Sequence, residues 1–516
     1  MAPPGGVVAA GHPATAEAGA WALREGGNAV DAAVAAVCAS LVAESPLTGL
    51  GAGGYMLVSL PSLPDPVLLD FFVVAPGIDG IDRRAELVPV EIDFGDTSQV
   101  FNIGAASCGV PGVPSGLAEA TSRYGTMALD DLVRPGIRLA RDGALVTPQQ
   151  AYLFQILAPI LMAEPDGEAI YAPEGAPLCE GELVRLPQLA ETLERLGEEG
   201  PAPFYEGDLA DAIAATVEEG GGIIGRADLA AYETIARQPV RAEFAGREIL
   251  TNPPPSSGGI LLAYALDILG ELGATDTETL VAVMEQAQGA RTPGFLAGLY
   301  EEGFAERFLT PAAVRSAATR CREGHDLGPG PDPQGPLGST THITSLDGDG
   351  GCASVTCSNG SGSGVFVPGT GVQLNNMLGE DDLNPFGFHA TGPGRRMPSM
   401  MSPTIARRGG AIELGLGSGG SNRIRSAITQ VLVRALADEL PLADAVGAPR
   451  IHFEAGTVHA EPGVDPAALA RLEASGYEVV RWREPNLFFG GVHAVSSDDG
   501  VVTGAGDPRR GGAVAS

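Results

Sequence analysis

The chain has 516 residues, 44% of them hydrophobic, and a formal charge of -33. That much hydrophobic material can bury a large core, while the negative charge repels phosphate backbones and anionic lipid heads, so nucleic acid and membrane surfaces are poor partners. All 31 basic residues are Arg, which excludes Schiff-base lysines and Walker-type phosphate loops.

The opening residues, MAPPGGVVAAGHP, lack a basic start followed by an apolar stretch. No segment reaches the roughly 18 apolar residues of a membrane span, and the chain is expected to be cytoplasmic. Residues 15–43 carry a helical pattern broken at Gly26 and Gly27, after which Asn28 is placed to cap a second helix. Val30, Ala33, Val34, Val37 and Leu41 form its apolar stripe, and Asp31 sits in the first turn, where the helix dipole favours an acid. A glycine-rich turn at 49–54 feeds a buried strand at 55–58.

Residues 61–110 read as irregular, and residues 112–269 as helices alternating with turns. Within them 252–259 reads as a loop, because its three consecutive prolines supply no backbone donors. Composition changes most sharply at 324–338, GHDLGPGPDPQGPLG, an expected exposed junction between residues 1–339 and 340–516. Beyond it the pattern turns to β: a strand at 341–346, a turn at 347–350 and a partner strand at 351–357. A later strand at 411–416 runs through a Gly/Ser segment at 417–421 into a helix bearing Ile424, Ala427, Ile428, Val431 and Ala435 on one face.

Six cysteines show no C-x-x-C pair, and seven histidines show no i, i+4 pairing, so buried free thiols and no metal or other cofactor are expected. The chemistry concentrates instead at Ser339-Thr340-Thr341-His342, where the junction becomes a strand. Cleavage before Thr340 gives it a free α-amine, whose ordinary pKa of roughly 7.7 to 8.0 lets it take the proton of its own hydroxyl near neutrality. Taken alone, Thr-Thr-His is equally the start of an ordinary strand, since β-branched residues favour one. Closing the hairpin over 347–350 or 347–351 places Thr340 opposite Cys357 or Ser358, which brings a second hydroxyl beside the first.

The Gly/Ser segment enters a helix whose first N–H groups have no intrahelical partners, so it suits an oxyanion. The stretch from Gly415 to Gly420 also fits G-x-G-x-x-G, the mark of a dinucleotide-binding oxidoreductase. Residues 441–453 offer no clear second strand to close the parallel unit that such a site needs.

Ordered motifs along nearly the whole chain resemble the γ-glutamyltranspeptidase family of N-terminal-nucleophile (Ntn) hydrolases. They include Gly11-His12-Pro13, Gly26-Gly27-Asn28-Ala29-Val30-Asp31, Pro253-Pro254-Pro255-Ser256-Ser257-Gly258-Gly259, Thr340-Thr341-His342, Leu374-Asn375-Asn376, Met401-Ser402-Pro403, Ala448-Pro449-Arg450 and Asp507-Pro508-Arg509. The resemblance implies an αββα sandwich cleaved between Ser339 and Thr340 into a large subunit, 1–339, and a small one, 340–516, both within one αββα unit. It implies an acyl-enzyme on Thr340, with Ser358 as the matching hydroxyl and oxyanion donors at Gly420 and Ser421, or at Gly419 and Gly420. It places substrate contacts at Asn359, at Asp382 or Asp381, and at Ser399, with glutathione or γ-glutamyl amides as donors. Water or an amino acid or peptide is the acceptor, and the paired subunits are the building block of any larger oligomer. Three departures stand out. Met400 replaces the second Ser of a substrate-binding pair, the stretch from Asn359 to Gly364 is shortened, and Phe72 stands where the family holds an Arg for the γ-glutamyl α-carboxylate. Either Arg83 or Arg84 substitutes, or the acyl group is a different one, as in cephalosporin-type acylases.

Overall fold

Asn28 opens the helix Ala29–Ala43, its side chain accepting from the N–H groups of Val30 and Asp31 while Asp31 reaches back to the Asn28 N–H. This capping box starts a helix that is buried along its whole length, beside the helix Pro13–Arg24. The computed structural model describes residues 5–80, 86–93, 98–324, 340–498 and 500–516. Among them, no helix is long and apolar enough to cross a membrane.

Ala29–Ala43 lies against a seven-stranded sheet ordered Ala513–Ala515, Val7–Ala10, Thr341–Leu346, Cys352–Ser358, Gly53–Ser59, Val67–Phe71 and Ile235–Arg237. All its neighbours are antiparallel. Alternation along these strands divides the core. Met56, Val58, Ile343 and Val355 pack with Val34, Val37 and Leu41 of the helix. Tyr55 and Leu57 face the other way, with Leu414 and Leu416 of a second sheet.

The second sheet is ordered Val501–Ala505, Gly491–Asp498, Ala411–Gly419, Thr404–Arg408, Arg247–Thr251 and Val240–Phe244. Its glycines permit close approach: a Cβ on Gly415 would lie 2.6 Å from Cys352 Sγ, and one on Gly417 would lie 2.3 Å from His342 Cε1. Its outer face carries the helices Ser257–Leu272 and Arg423–Leu432. The layers therefore run helix, sheet, sheet, helix, the αββα sandwich that the resemblance implies. Both sheets take strands from before residue 324 and from after residue 340, so the two halves share one core.

Several expectations change. The irregular region contains the strand Val67–Phe71 and the hairpin Val88–Asp93 with Ser98–Ile103. The stretch read as helices and turns contributes Val240–Phe244 and Arg247–Thr251, short strands whose outward Arg and Glu residues weaken the apolar signal. The helix after the three prolines begins at Ser257, with Gly258 and Gly259 inside it because a Cβ there would strike the backbones of Met400 and Asn252. Cys38, Cys108, Cys352 and Cys357 are buried free thiols, whereas Cys179 is exposed and Cys321 only partly covered. The junction 325–339 lies outside the described residues.

Candidate active site

The hairpin turn at Asp347 pairs Thr341 with Cys357, so Thr340 emerges beside Ser358. Thr340 Oγ1 donates to Ser358 Oγ at 3.2 Å, and the Gly360 N–H donates to the same oxygen at 3.0 Å. Both side chains are buried. His342, two residues on, is occupied by Thr356 at 2.8 Å and Thr344 at 2.7 Å, and burial holds its pKa well below the ordinary range. It is therefore a neutral packing residue, not the base for Thr340.

The cavity at Thr340 has one apolar wall, formed by Phe72, Met377, Met400 and Met401, and one acidic wall, formed by Glu380 and Asp382. Phe72 is buried and stacked on Tyr55, with ring centroids 5.4 Å apart. Asp382 accepts from Ser421 Oγ at 2.5 Å, and its carbonyl accepts from Arg291 at 2.8 Å. Burial, and then the charge of Asp382, push the Glu380 carboxyl well above the usual carboxylate range.

The strand Ala411–Gly419 ends at a turn in which Gly420 has φ 121° and Ser421 φ 50°, both left-handed, before the helix Arg423–Leu432 begins. A serine held there is strained, the kind of backbone that clusters at functional sites. The turn touches Thr340 directly, since a Cβ on Gly419 would lie 2.4 Å from the Thr340 carbonyl oxygen. A helix N-terminus is thus set beside a hydroxyl pair, an arrangement suited to a nucleophile and the oxyanion it creates. The same turn removes the dinucleotide reading. Gly415 to Gly419 lie within a strand antiparallel to both its neighbours, with no parallel crossover at the glycines.

A family model described as Gamma-glutamyltranspeptidase matches residues 15–516. The chain belongs to the γ-glutamyltranspeptidase family. It is 32% identical to the Acylase ACY 1 proenzyme of Pseudomonas sp. (strain SE83), covering 97% of this chain and 91% of that one. It is 31% identical to the Glutathione hydrolase proenzyme of Escherichia coli (strain K12), covering 98% and 91%. Among solved structures, a cephalosporin acylase from Bacillus halodurans superposes with a TM-score of 0.83 at 26% identity, covering 99% of this chain and 96% of that one. The chain is an enzyme of this γ-glutamyltranspeptidase family, whose members include both glutathione hydrolases and acylases.

Of the positions expected from the γ-glutamyltranspeptidase resemblance, Thr340, Ser358, Asp382, Ser399 and Ser421 line one cavity. Gly419 packs against the Thr340 carbonyl, and Gly420 against Gly490 and Arg510. Two positions fall elsewhere. Asn359 follows Ser358 at the strand end and is therefore turned from the cavity; its N–H donates to Leu47 and its Nδ2 lies 3.5 Å from the Gln373 carbonyl. Asp381 is exposed, because the tight turn Asp381–Leu383 turns its first side chain outward while Asp382 and Leu383 face the cavity. Ser339, Arg83 and Arg84 lie outside the described residues. Sequence reasoning missed Glu380, although its spacing of two from Asp382 in Glu380-Asp381-Asp382 was a usable signal. It also missed Arg510, whose Nη1 lies 3.3 Å from the Thr340 carbonyl oxygen and which no local pattern marks.

Proposed function

We propose that this chain is the precursor of an amide hydrolase and acyltransferase that cuts itself before Thr340 and then carries the acyl group on Thr340 Oγ1. In maturation the hydroxyl oxygen attacks the Ser339 carbonyl, the amide shifts to an ester, and water hydrolyses it to leave the α-amine of Thr340 free. In turnover that amine takes the hydroxyl proton as Oγ1 attacks a substrate amide, and returns it to the leaving amine. Ser358 orients the attacking oxygen, and the Gly419, Gly420 and Ser421 turn faces the developing oxyanion. Water or an amine acceptor then releases the acyl group. The observation that carries this reading is the 3.2 Å Thr340–Ser358 contact beside a left-handed turn that leads into a helix.

For the acyl group, the apolar ring of Phe72 in the cavity wall supports amides that present no α-carboxylate there. The similarity to proteins named acylases runs in the same direction. A second reading, γ-glutamyl amides including glutathione, draws on Glu380 and Asp382, which suit an α-ammonium group, and on the glutathione hydrolase relatives. A panel of acyl anilides tests the choice. Aliphatic and dicarboxylic-monoamide acyl groups turning over with higher kcat/KM than γ-glutamyl anilide support the acylase reading. The reverse order supports the second.

A further inference from the structure

The C-terminal turn Pro508–Arg510 brings Arg510 to the back of the Thr340 site. Its Nη1 donates to the Thr340 carbonyl at 3.3 Å. The packing around it is built for this side chain: a Cβ on Gly419 would lie 3.0 Å from Nη1, and one on Gly491 would lie 2.3 Å from Cδ. The guanidinium therefore lies in the angle between the Thr340 carbonyl and the glycine turn. Burial, and then the charge of Arg423, oppose its cation, while Asp507 and Glu44 support it.

Resting on the proposed cleavage before Thr340, we infer that Arg510 is a positioning residue that holds the new N-terminal threonine in attacking geometry and keeps a positive charge beside its α-amine. Cleavage removes the preceding peptide, and a chain terminus frays unless it is tied down. Among the described residues, Ser358 holds Oγ1 and Arg510 holds the carbonyl of residue 340. Fixing the carbonyl fixes the rotation about Cα–C, and so the direction of the backbone that presents the amine and hydroxyl. The positive charge also disfavours protonation of the amine.

The amine's charged surroundings divide by element. Glu380 and Asp382 line the Thr340 cavity, Arg423 lies near these acids and Arg510 at the start of the following helix, and Glu44 reaches Thr341 from the end of Ala29–Ala43. His493, Asp507 and Arg450 stand behind Arg510, and burial holds His493 down to about 4. Removing Arg510 takes a positive charge away from the amine, so the amine holds its proton to higher pH.

The test compares wild type, Arg510→Met and Arg510→Lys, each as cleaved enzyme, by pH–rate profile on the best anilide. Arg510→Met should lower kcat roughly ten- to a hundredfold with KM within about twofold. It should also move the acid limb of the profile upward by about one pH unit. Arg510→Lys, which keeps the charge but loses the planar fork, should restore the limb and only part of kcat. A Met variant that folds, as judged by circular dichroism and gel filtration, but stays uncleaved also supports the role, because maturation uses the same oxygen. Wild-type kcat and limb in both variants overturn the inference, as does a limb that shifts equally in both. If neither variant folds, Arg510 is structural and the inference fails. Uncleaved or inactive wild type would instead overturn the proposed function itself.

Discussion

The hydroxyls of Thr340 and Ser358 lie 3.2 Å apart because a tight turn pairs Thr341 with Cys357 and leaves residue 340 one step beyond the ladder. The Ser358 oxygen also accepts from the Gly360 N–H, so it is held in place rather than free to rotate. Ser358→Ala removes the acceptor that aims Thr340 and should lower kcat roughly ten- to a hundredfold. Stability should fall by only about 1 kcal/mol, the net worth of an ordinary hydrogen bond. Kinetics on the cleaved variant together with thermal melts check both parts.

Phe72 closes the cavity where an Arg was expected, and its ring is stacked on Tyr55. Phe72→Arg offers a charge-assisted contact worth about 1.5 to 3 kcal/mol to an α-carboxylate. The KM for γ-glutamyl anilide should therefore fall roughly ten- to a hundredfold relative to the parent. Tm should fall as well, because the Tyr55 stack is lost. An unchanged KM in a folded variant contradicts this account of the acyl pocket.

Glu44 carries a buried carboxyl at the end of the helix Ala29–Ala43, where it accepts from Thr341. Burial raises it from 4.5 to about 7, against the lowering effects of Thr341, Thr15 and Arg510. A carboxyl whose folded pKa lies above its unfolded value gives stability that is fully present below the unfolded pKa and lost as pH rises through the folded one. Glu44→Gln should therefore match wild type near pH 4 and gain on it between about pH 4.5 and 7. Above that it should stay more stable by on the order of 3 kcal/mol. Urea melts at pH 4 and pH 8 measure the difference; equal stability at pH 8 contradicts it.

Much of the site was legible because it is local. Counting across the Asp347 to Gly351 turn narrows the neighbour of Thr340 to Cys357 or Ser358, and the observed ladder selects Ser358. The N-cap at Asn28 and the glycine turn before Arg423 follow from backbone chemistry in the same way. What stayed hidden depends on distant packing. Arg510 reaches a carbonyl 170 residues away in sequence, through a turn that has no periodic pattern. Val240–Phe244 and Arg247–Thr251 are too short for their alternation to stand out, and only the sheet they join makes them strands. Asp381 and Asp382 are chemically alike in sequence; a single tight turn separates the exposed acid from the cavity acid.

Self-cleavage at Thr340 is the central claim, since one oxygen is assigned both maturation and turnover. Intact-mass spectrometry with N-terminal sequencing of purified wild type and Thr340→Ala tests it most directly. Wild type should resolve into fragments 1–339 and 340–516, the second beginning Thr-Thr-His, and should hydrolyse anilides. Thr340→Ala should remain one inactive chain that melts cooperatively. A wild type that hydrolyses amides while intact, or a Thr340→Ala chain that still splits at this bond, would contradict the account.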